Sequence, residues 1–268
     1  MVLVDFFKDN EIRKISQIRI PKYVELFKES FPTFSASQEY LEWLYFKNPL
    51  GEVVGFDAIY ENEVVAHYAC IPTKISGIDG LALLSLNTAT SPRFQGRGLF
   101  KVLAQNTYEL AAESHYSCVI GVANSNSFNA FVRHLGFEHL GNLDLRFGFL
   151  ARPKRGARIY SQDDLDWRCS STRHEFNRRI TRNQSVNFST RIYFGIKLWA
   201  LSPTELENSV KRKPRKLGLT LDWRRNKKPW IFLPARFKPS PLALIYKSLD
   251  GTPPSALSSW SFPDFDAY

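Results

Sequence analysis

The sequence has little cysteine and no long apolar segment. Its three cysteines, Cys70, Cys118 and Cys169, have neither the spacing of a metal site nor the even number of a disulfide framework. So few thiols are typical of a protein in the reducing cytoplasm, which is the location we expect. No stretch approaches about 18 uninterrupted apolar residues, which argues against a helical membrane span. The amino-terminal segment carries Asp5 and Lys8 within its apolar stretch, so it does not resemble a signal peptide.

What the sequence does contain is enough apolar material for a substantial core, together with an uneven charge. Its 268 residues are 44% hydrophobic and 14% aromatic, which excludes a disordered chain. Residues 1–145 hold 12 basic and 16 acidic residues, whereas residues 146–268 hold 24 basic and 10 acidic ones. The change coincides with a segment containing glycine and proline at residues 148–156. We therefore predict two domains, residues 1–150 and a basic domain over residues 151–268.

Alternating helical and strand patterns predict an α+β arrangement for the first domain. Apolar residues at helical spacing predict a helix over residues 11–29, broken or kinked at Pro21, and a second over residues 39–47. Residues 53–60 and 64–71 flank a short turn as a hairpin, and a nearly apolar strand over residues 81–90 is expected at the centre of the sheet. Helices over residues 98–114 and 127–135 then alternate with strands over residues 117–122 and 137–149. This order predicts a mixed sheet flanked by helices.

A glycine-containing turn stands between the predicted central strand and the helix that follows. Gly96 and Gly98 let a ligand approach the backbone, and the helix that opens after them presents unpaired N–H groups to an anion. The turn is neither the dinucleotide pattern G-x-G-x-x-G nor a P-loop, because the third glycine and the Gly-Lys-Ser/Thr triplet are absent. From the glycines alone, an ordinary strand-to-helix turn remains the alternative to a phosphate site.

Two motifs together resemble the GNAT superfamily of N-acetyltransferases. The segment Gln95-Gly96-Arg97-Gly98, preceded by a strand and a Thr-Ser-Pro, resembles the acyl-CoA loop of the family, Q/R-x-x-G-x-G/A. Residues 124–137, which begin with Asn124 and end in Leu-Gly-Phe, resemble its second conserved segment. The resemblance covers about residues 2–145 and implies a mixed, mostly antiparallel sheet flanked by helices, followed by a second, smaller α+β half.

The resemblance also implies how acetyl-CoA would bind as co-substrate, with no metal. The backbone of the central strand would pair with the pantetheine arm like an added strand, and the turn would hold the pyrophosphate through its N–H groups. A backbone N–H beside the thioester carbonyl could stabilise the oxyanion formed when an amine attacks. The implied cofactor-binding residues are Thr88, Ala89, Thr90, Gln95, Gly96, Arg97, Gly98, Leu99, Phe100, Asn124 and Ser127.

The sequence departs from the family at three positions that matter for chemistry. Phe100 stands where the loop motif usually ends in a small residue, and the resulting G-R-G-L-F resembles acetyltransferases associated with bacterial surface sugars. Val132 occupies the position of the tyrosine that protonates the leaving thiolate in many members. Asn87 stands on the central strand where an acidic base is expected, and a neutral amide cannot accept the proton. The acid and base roles are therefore unassigned by the resemblance.

The remaining polar residues give only weak catalytic candidates. They are His67 on the hairpin, Asn87 itself, and a carboxylate and a phenol near the carboxyl end, Asp266 and Tyr268. A histidine on a half-apolar strand is more often structural than catalytic. A positioned water is a further alternative. We interpret Cys118 as a buried apolar residue.

The second domain contains an internal repeat of a short segment of the first. Residues 37–43, Ser-Gln-Glu-Tyr-Leu-Glu-Trp, recur at residues 161–167 as Ser-Gln-Asp-Asp-Leu-Asp-Trp. Chance convergence on a helix-capping signal is one interpretation, and a degenerate copy of the first domain is the other. Because the second domain lacks Q-x-x-G-x-G, it is not expected to bind CoA. We expect it to close the edge of the sheet and to wall the acceptor cleft.

The basic residues of the second domain cluster at residues 211–216 and 224–228, near Trp223 and Trp230. They could attract a phosphate-bearing acceptor, contact anionic lipid peripherally at the inner membrane face, or bind single-stranded nucleic acid, which we consider the least favoured. Solvated surface loops are the alternative to all three. The predicted function is transfer of acetyl from acetyl-CoA to the amine of an amino sugar or nucleotide-linked amino sugar of surface-polysaccharide biosynthesis. Polyamine or protein-lysine acetylation and a non-catalytic acyl-CoA- or nucleic-acid-binding module are the alternatives.

Overall fold

Two mixed β-sheets organise the chain. The computed structural model describes residues 10–31, 36–149, 156–171, 175–180, 186–191, 197–205, 217–225, 231–232 and 242–264. The helices in these ranges are α1 (Ile20–Ser30), α2 (Gln38–Phe46), α3 (Leu99–Glu113), α4 (Ser125–His134) and α5 (Gln162–Cys169). The strands are β1 (Asn10–Lys14), β2 (Val54–Tyr60), β3 (Glu63–Thr73), β4 (Ala82–Thr90), β5 (Cys118–Ala123), β6 (Glu138–Asn142), β7 (Asp144–Phe149), β8 (Asn177–Ile180), β9 (Val186–Arg191), β10 (Lys197–Ser202), β11 (Leu217–Arg224), β12 (Ile231–Phe232), β13 (Ala243–Ser248) and β14 (Ser259–Ser261).

The first sheet has the order β1-β2-β3-β4-β5-β13-β6 among the described residues, with β4 at its centre as predicted. Only β4 and β5 run parallel. Alternate residues of β5 enter two buried clusters on opposite faces, Ile120 with the side chains of α1 and α2, and Val119 with those of α3 and α4. This mixed, mostly antiparallel sheet flanked by helices confirms the predicted fold class.

The helix predicted over residues 11–29 is wrong in its first part. Residues 10–14 form β1, which pairs with β2 so that Ile12 lies opposite Ala58. Helix α1 begins at Ile20 and carries Pro21 in its first turn, where a missing N–H removes no helical hydrogen bond. The proline therefore starts this helix and does not kink it.

The two sheets exchange strands across the predicted domain boundary. Strand β7 follows β6 in the chain, yet it leaves the first sheet and pairs with β11 and β12 in the second. Strand β13, from the carboxyl-terminal part, lies between β5 and β6 in the first sheet. The division into residues 1–150 and 151–268 stays a prediction about independent units. The strand pairing nevertheless crosses the boundary: β7, from the first part, belongs to the second sheet, and β13, from the second part, belongs to the first sheet.

The strand order of the second sheet corresponds to that of the first. Its path is β12-β7-β11-β10-β9-β8, with β14 on β11, and β10 and β11 are its parallel pair. Reading outward from the two parallel pairs, β9 and β8 stand where β3 and β2 stand in the first sheet, and β7 stands where β13 stands. This correspondence supports the interpretation of the second domain as a degenerate copy, which stays a prediction.

The two copies of the short repeat contact each other directly. Trp43 of α2 and Trp167 of α5 stack with ring centroids 4.8 Å apart. The indole N–H of Trp43 donates to the carbonyl oxygen of Trp167 at 2.9 Å, and the indole of Trp167 donates to the carbonyl oxygen of Trp43 at 3.0 Å. The segments that repeat in sequence therefore form a reciprocal contact between the two parts.

Candidate active site

Strand β4 separates from β5 halfway along its length. Parallel pairing joins residues 83–85 to residues 119–121, while β4 continues to Thr90 and pairs there with β3 alone. Among the described residues, no strand pairs with the other edge of residues 86–90. Thr88 and Thr90 are half-buried and Ala89 is buried at 4% exposure. The predicted pantetheine-pairing residues thus lie on a strand with one open backbone edge.

A β-bulge marks the point where β4 becomes open. Two residues, Asn87 and Thr88, lie opposite the single residue Tyr68 of β3, because the register shifts between His67 and Ala69. Asn87 adopts a left-handed backbone conformation, with φ of +47°, which asparagine tolerates better than most residues. The bulge turns the half-buried side chain of Asn87 out of the regular alternation of the strand.

The glycine turn has the geometry of an anion site. Gly96 and Gly98 have φ of +73° and +75°, and a Cβ placed on Gly96 would meet no atom within 4 Å. Gly98 is the N-cap of α3 and has no side chain, so it supplies no capping group to the first N–H groups of the helix. The neighbouring Gln95 donates to the carbonyl oxygen of Thr90 at 3.2 Å. Open space therefore lies beside backbone N–H groups at the positive end of a helix dipole.

The side chains of Leu99 and Phe100, the last two residues of the loop motif, point into the core. Leu99 is buried at 2% exposure. The ring of Phe100 packs 5.6 Å from the ring of Tyr68 and 5.2 Å from that of Phe131, which accommodates the large side chain that the motif does not usually carry. Arg97 is exposed and places its guanidinium 4.9 Å from the ring of Phe94. Leu99 and Phe100 can therefore serve a ligand only through their backbone.

Asn124 and Ser127 lie at the start of α4, directly after β5. The Oδ1 atom of Asn124 accepts from the backbone N–H groups of Asn126 and Ser127 at 3.0 and 3.1 Å and from the Ser127 hydroxyl at 3.2 Å. Asn124 is thus the N-cap of this helix. The cap occupies Oδ1, so Nδ2 is the side-chain atom that Asn124 could offer to a ligand.

A buried carboxylate lies under the hairpin, next to the bulge. Asp57 is fully buried, and its Oδ2 accepts from the guanidinium of Arg19 at 2.9 Å and from the hydroxyl of Tyr23 at 2.7 Å. Its Oδ1 lies 2.7 Å from Nδ1 of His67. Three donors on two oxygens are the arrangement that an ionised carboxylate accepts, and Arg19 supplies the compensating charge.

His67 links this carboxylate to the bulge of β4. Its Nε2 lies 2.9 Å from the hydroxyl of Tyr45, and the side-chain amide of Asn87 donates to the same hydroxyl at 3.1 Å. His67 and Tyr45 are both fully buried. Burial raises the pKa of the Tyr45 phenol well above its ordinary value, so this hydroxyl keeps its proton. The structure therefore joins two of the predicted catalytic candidates, His67 and Asn87, in one network.

The sequence pattern does not identify four members of this network, Asp57, Tyr45, Arg19 and Tyr23. The one feature that could have indicated the network is Asp57, a charged residue between apolar neighbours in a predicted strand. The other candidates, Asp266 and Tyr268, lie outside the described residues.

Part of the predicted basic surface is structural. Residues 211–216 and 226–228 lie outside the described residues, but Arg224 bonds to Asp222 at 2.7 Å and Arg225 to the carbonyl oxygen of Leu257 at 3.0 Å. Trp223 is 5% exposed and donates to the carbonyl oxygen of Leu140, so it cannot act as a stacking platform for nucleic acid. The described residues contain no cluster of metal-ligating side chains. Within them, no helix is both long and apolar enough to cross a membrane.

Comparison with known proteins supports the resemblance carried by the two motifs. Residues 11–140 match the family model described as Acetyltransferase (GNAT) domain, which confirms it. No curated protein matches the sequence.

Solved structures resemble most of the chain, including its second sheet. A GCN5-related N-acetyltransferase from Kribbella flavida is 12% identical, with 91% of this chain and 72% of that chain covered and a TM-score of 0.59. A protein of unknown function from Enterococcus faecalis, described as a probable N-acyltransferase, is 11% identical, with 90% and 73% covered and a TM-score of 0.58. At such identities the likeness establishes the fold alone.

Proposed function

We propose a specific reaction for this chain, which belongs to the GNAT acetyltransferase family through residues 11–140 and is an acetyl-CoA-dependent acyltransferase. The proposed acceptor is the primary amine of an amino sugar, with a nucleotide-linked amino sugar favoured. In the proposed reaction the amine attacks the acetyl thioester directly, without a covalent enzyme intermediate. The C–N bond forms, the C–S bond to CoA breaks, and the proton that the amine loses passes to water.

The observation that best supports an acetyl-CoA site is the open backbone edge of β4, which leads into the glycine turn. A strand with one unpaired backbone edge is the surface on which an extended pantetheine arm can pair. The turn then offers N–H groups of α3 and the open space at Gly96 to a pyrophosphate. The described residues of this region therefore fit the co-substrate in shape and polarity.

The proposed chemistry needs the protein mainly for positioning. Acetyl-CoA supplies the thioester whose carbonyl carbon the amine attacks. The open edge of β4 fixes the acyl arm, and a backbone N–H there donates to the carbonyl oxygen as negative charge develops on it. Val132, at the position of the usual tyrosine, has no group that could protonate the leaving thiolate, so we assign that proton to solvent.

The proposed acceptor follows from charge. The first 145 residues carry a net charge of −4 and the remainder +14, so the excess positive charge lies away from the donor motif. Net positive charge of this kind favours phosphate groups and disfavours polyamines and lysine-rich peptides, which we therefore place second. We propose that the second domain walls the acceptor cleft in the cytoplasm, with contact to anionic lipid as one way of presenting a lipid-linked acceptor.

The test of the donor site uses two matched glycines. Gly96 and Gly251 both have positive φ, of +73° and +92°, and neither has an atom within 4 Å of a placed Cβ. Valine at either position introduces the same type of backbone strain, so both variants should lose a similar amount of stability. Only Gly96→Val should lose the rise in melting temperature that acetyl-CoA gives to the wild type.

Turnover is then measured as release of free CoA with nucleotide-linked amino sugars, polyamines and lysine peptides. We expect release with the amino-sugar nucleotides. Equal acetyl-CoA affinity in Gly96→Val and Gly251→Val would refute the donor site. Tight acetyl-CoA binding without turnover on any amine would favour a non-catalytic acyl-CoA-binding module, the alternative that the valine at position 132 motivates.

A further inference from the structure

The hydrogen-bond network of the hairpin residues Asp57 and His67 ends at Asn87, one of the two residues in the bulge of β4. We propose that Asp57, His67 and Tyr45 are positioning residues that hold the amide of Asn87 with its carbonyl oxygen toward the acceptor amine. The proposal rests on the proposed function, because it assigns the amine of that reaction to this end of β4.

The direction of each hydrogen bond follows from the carboxylate at the buried end. Asp57 can only accept, so Nδ1 of His67, 2.7 Å from it, carries the ring proton. With one proton on the ring, Nε2 is an acceptor, and the hydroxyl of Tyr45 at 2.9 Å donates to it. The Tyr45 oxygen then accepts, so the group of Asn87 that faces it at 3.1 Å is the NH2 group.

The amide of Asn87 is therefore fixed in one of its two orientations. Its Nδ2 atom bonds inward, and among the residues that the structure describes no donor reaches its Oδ1 atom. Asn87 is half-buried and directly precedes Thr88, the first of the residues predicted to pair with the acyl arm. Oδ1 can accept an N–H of the amine and so direct the nitrogen lone pair toward the thioester carbonyl. It cannot take the proton away.

The network also predicts how acid affects this orientation. His67 is faced by Asp57 from β2, Tyr45 from α2 and Tyr23 from α1, and Arg19 lies beyond Asp57. If Nε2 gains a proton, it donates to the Tyr45 oxygen, and the Tyr45 hydroxyl must turn to another acceptor.

Among the described residues, the other side chain bonded to that hydroxyl is the Asn87 amide, 3.1 Å away, which can accept this bond only by turning Oδ1 inward and NH2 toward the amine. Protonation of His67 thus reverses the chain of hydrogen bonds.

The first experiment needs no acceptor. Long-range proton–nitrogen NMR spectra of the full-length protein distinguish a histidine protonated at Nδ1 from one protonated at Nε2. We expect His67 in the Nδ1–H form at pH 8. The Nε2–H form would place a donor against the Tyr45 hydroxyl, reverse the orientation of Asn87, and refute the proposal.

The second experiment compares two Tyr→Phe variants. Tyr45→Phe removes the hydroxyl that orients Asn87, whereas Tyr68→Phe removes a buried hydroxyl of the same sheet that bonds to Ser85 and Tyr108. Both lose a buried hydrogen bond, so both should be less stable. Only Tyr45→Phe should lower kcat, by about 10- to 100-fold, with little change in the acetyl-CoA-induced shift in melting temperature.

The third variant, His67→Gln, keeps an acceptor for the hydroxyl of Tyr45. It should therefore retain more activity than Tyr45→Phe. The acceptor used is the amine that gives the highest rate in the panel, or 2-aminoethanol at high concentration if none does. Acetyl-CoA should stabilise every variant. If it does, and if Tyr45→Phe and Tyr68→Phe nevertheless have equal kcat values, the network is only structural. If acetyl-CoA fails to stabilise the wild type, the proposed function is wrong. The NMR result still decides the direction of the hydrogen bonds from Asp57 to Asn87.

Discussion

Cutting the chain at the predicted domain boundary is expected to destroy the fold of both parts. Every motif of the proposed donor site lies within residues 1–150, so the sequence alone suggests that this fragment should bind acetyl-CoA. In the structure, the first sheet needs β13 between β5 and β6, and the second sheet needs β7. We therefore predict that residues 1–150 alone neither fold cooperatively nor bind acetyl-CoA.

The magnitude follows from the residues that β13 buries. Leu244, Ile245 and Tyr246 are each 0% exposed, and six residues of β13 are in register with β5. Full burial of one such side chain contributes roughly 1.5–3 kcal/mol, so these three contribute on the order of 5–9 kcal/mol. That is comparable with the entire stability of a typical domain, about 5–15 kcal/mol. Loss of β13 also leaves β5 and β6 without a strand between them.

The assay is fragment complementation. Residues 1–150 and 151–268 are purified separately and mixed, and folding is followed by near-ultraviolet circular dichroism and by the acetyl-CoA-induced shift in melting temperature. We expect both signals only in the mixture, because each fragment carries the strand that the other lacks. Ile245→Asp in the second fragment should abolish complementation. Glu205→Gln should not, because it removes only an exposed ion pair with Lys74.

A dispersed NMR spectrum and a normal acetyl-CoA response from residues 1–150 alone would refute this reasoning. It would mean that β5 and β6 can close the sheet directly, or that another segment of the fragment replaces β13. The exchange of strands would then contribute little to the stability of the complete chain.

Two further predictions concern buried charge and buried thiols. Arg19→Gln leaves the carboxylate of Asp57 without its charged partner and should cost about 3 kcal/mol of unfolding free energy, whereas Arg13→Gln, in an exposed pair, should cost less than about 1 kcal/mol in the same denaturant titration. Burial raises the thiol pKa of Cys70 and of Cys118 to about 12, so neither should react with a disulfide reagent at pH 8 until the protein unfolds. Because these folded-state values lie above the ordinary thiol value, both thiols should also make stability fall as the pH rises above about 9. Reaction of either thiol in the folded protein would contradict this.

The donor site could be predicted from the sequence because it is built from consecutive residues. Strand β4, the turn and α3 follow one another, and the positive φ of Gly96 and Gly98 is what glycine at a tight turn indicates. Helix α4 and its cap at Asn124 are equally local. For such segments the local sequence pattern predicts the backbone conformation, and tertiary packing determines only where the segment lies in the fold.

The network around Asp57 could not be predicted, because it depends on strand register. The hairpin turn pairs Tyr60 with Glu63, and a regular continuation would place Asp57 opposite Ala66. A shift in register between Ala58 and Ile59 instead places Asp57 opposite His67. A shift of one residue changes which side chains meet across the pair, and nothing in the alternation of residues 54–60 reveals it.

The repeat contains a second contact that the local sequence pattern does not predict. Ser37 and Ser161 each cap a helix by accepting from an N–H three residues on, so both copies carry a helix-capping signal whichever interpretation of the repeat holds. It does not explain why Trp43 and Trp167 each donate to the other's carbonyl oxygen. Contacts in which equivalent positions exchange the same bond are the mark of a two-fold interface.

The exchange of β7 and β13 has the same reciprocal form. Together, the reciprocal indoles and the reciprocal strands are what two swapped copies would show if a single chain joined them. In such an arrangement neither half completes its own sheet. The basic half then has a role that does not depend on whether it touches the acceptor, since it supplies the strand that closes the sheet on which acetyl-CoA is proposed to bind. Substitutions in β13 should therefore weaken acetyl-CoA binding although they lie about 100 residues beyond the last motif of the donor site.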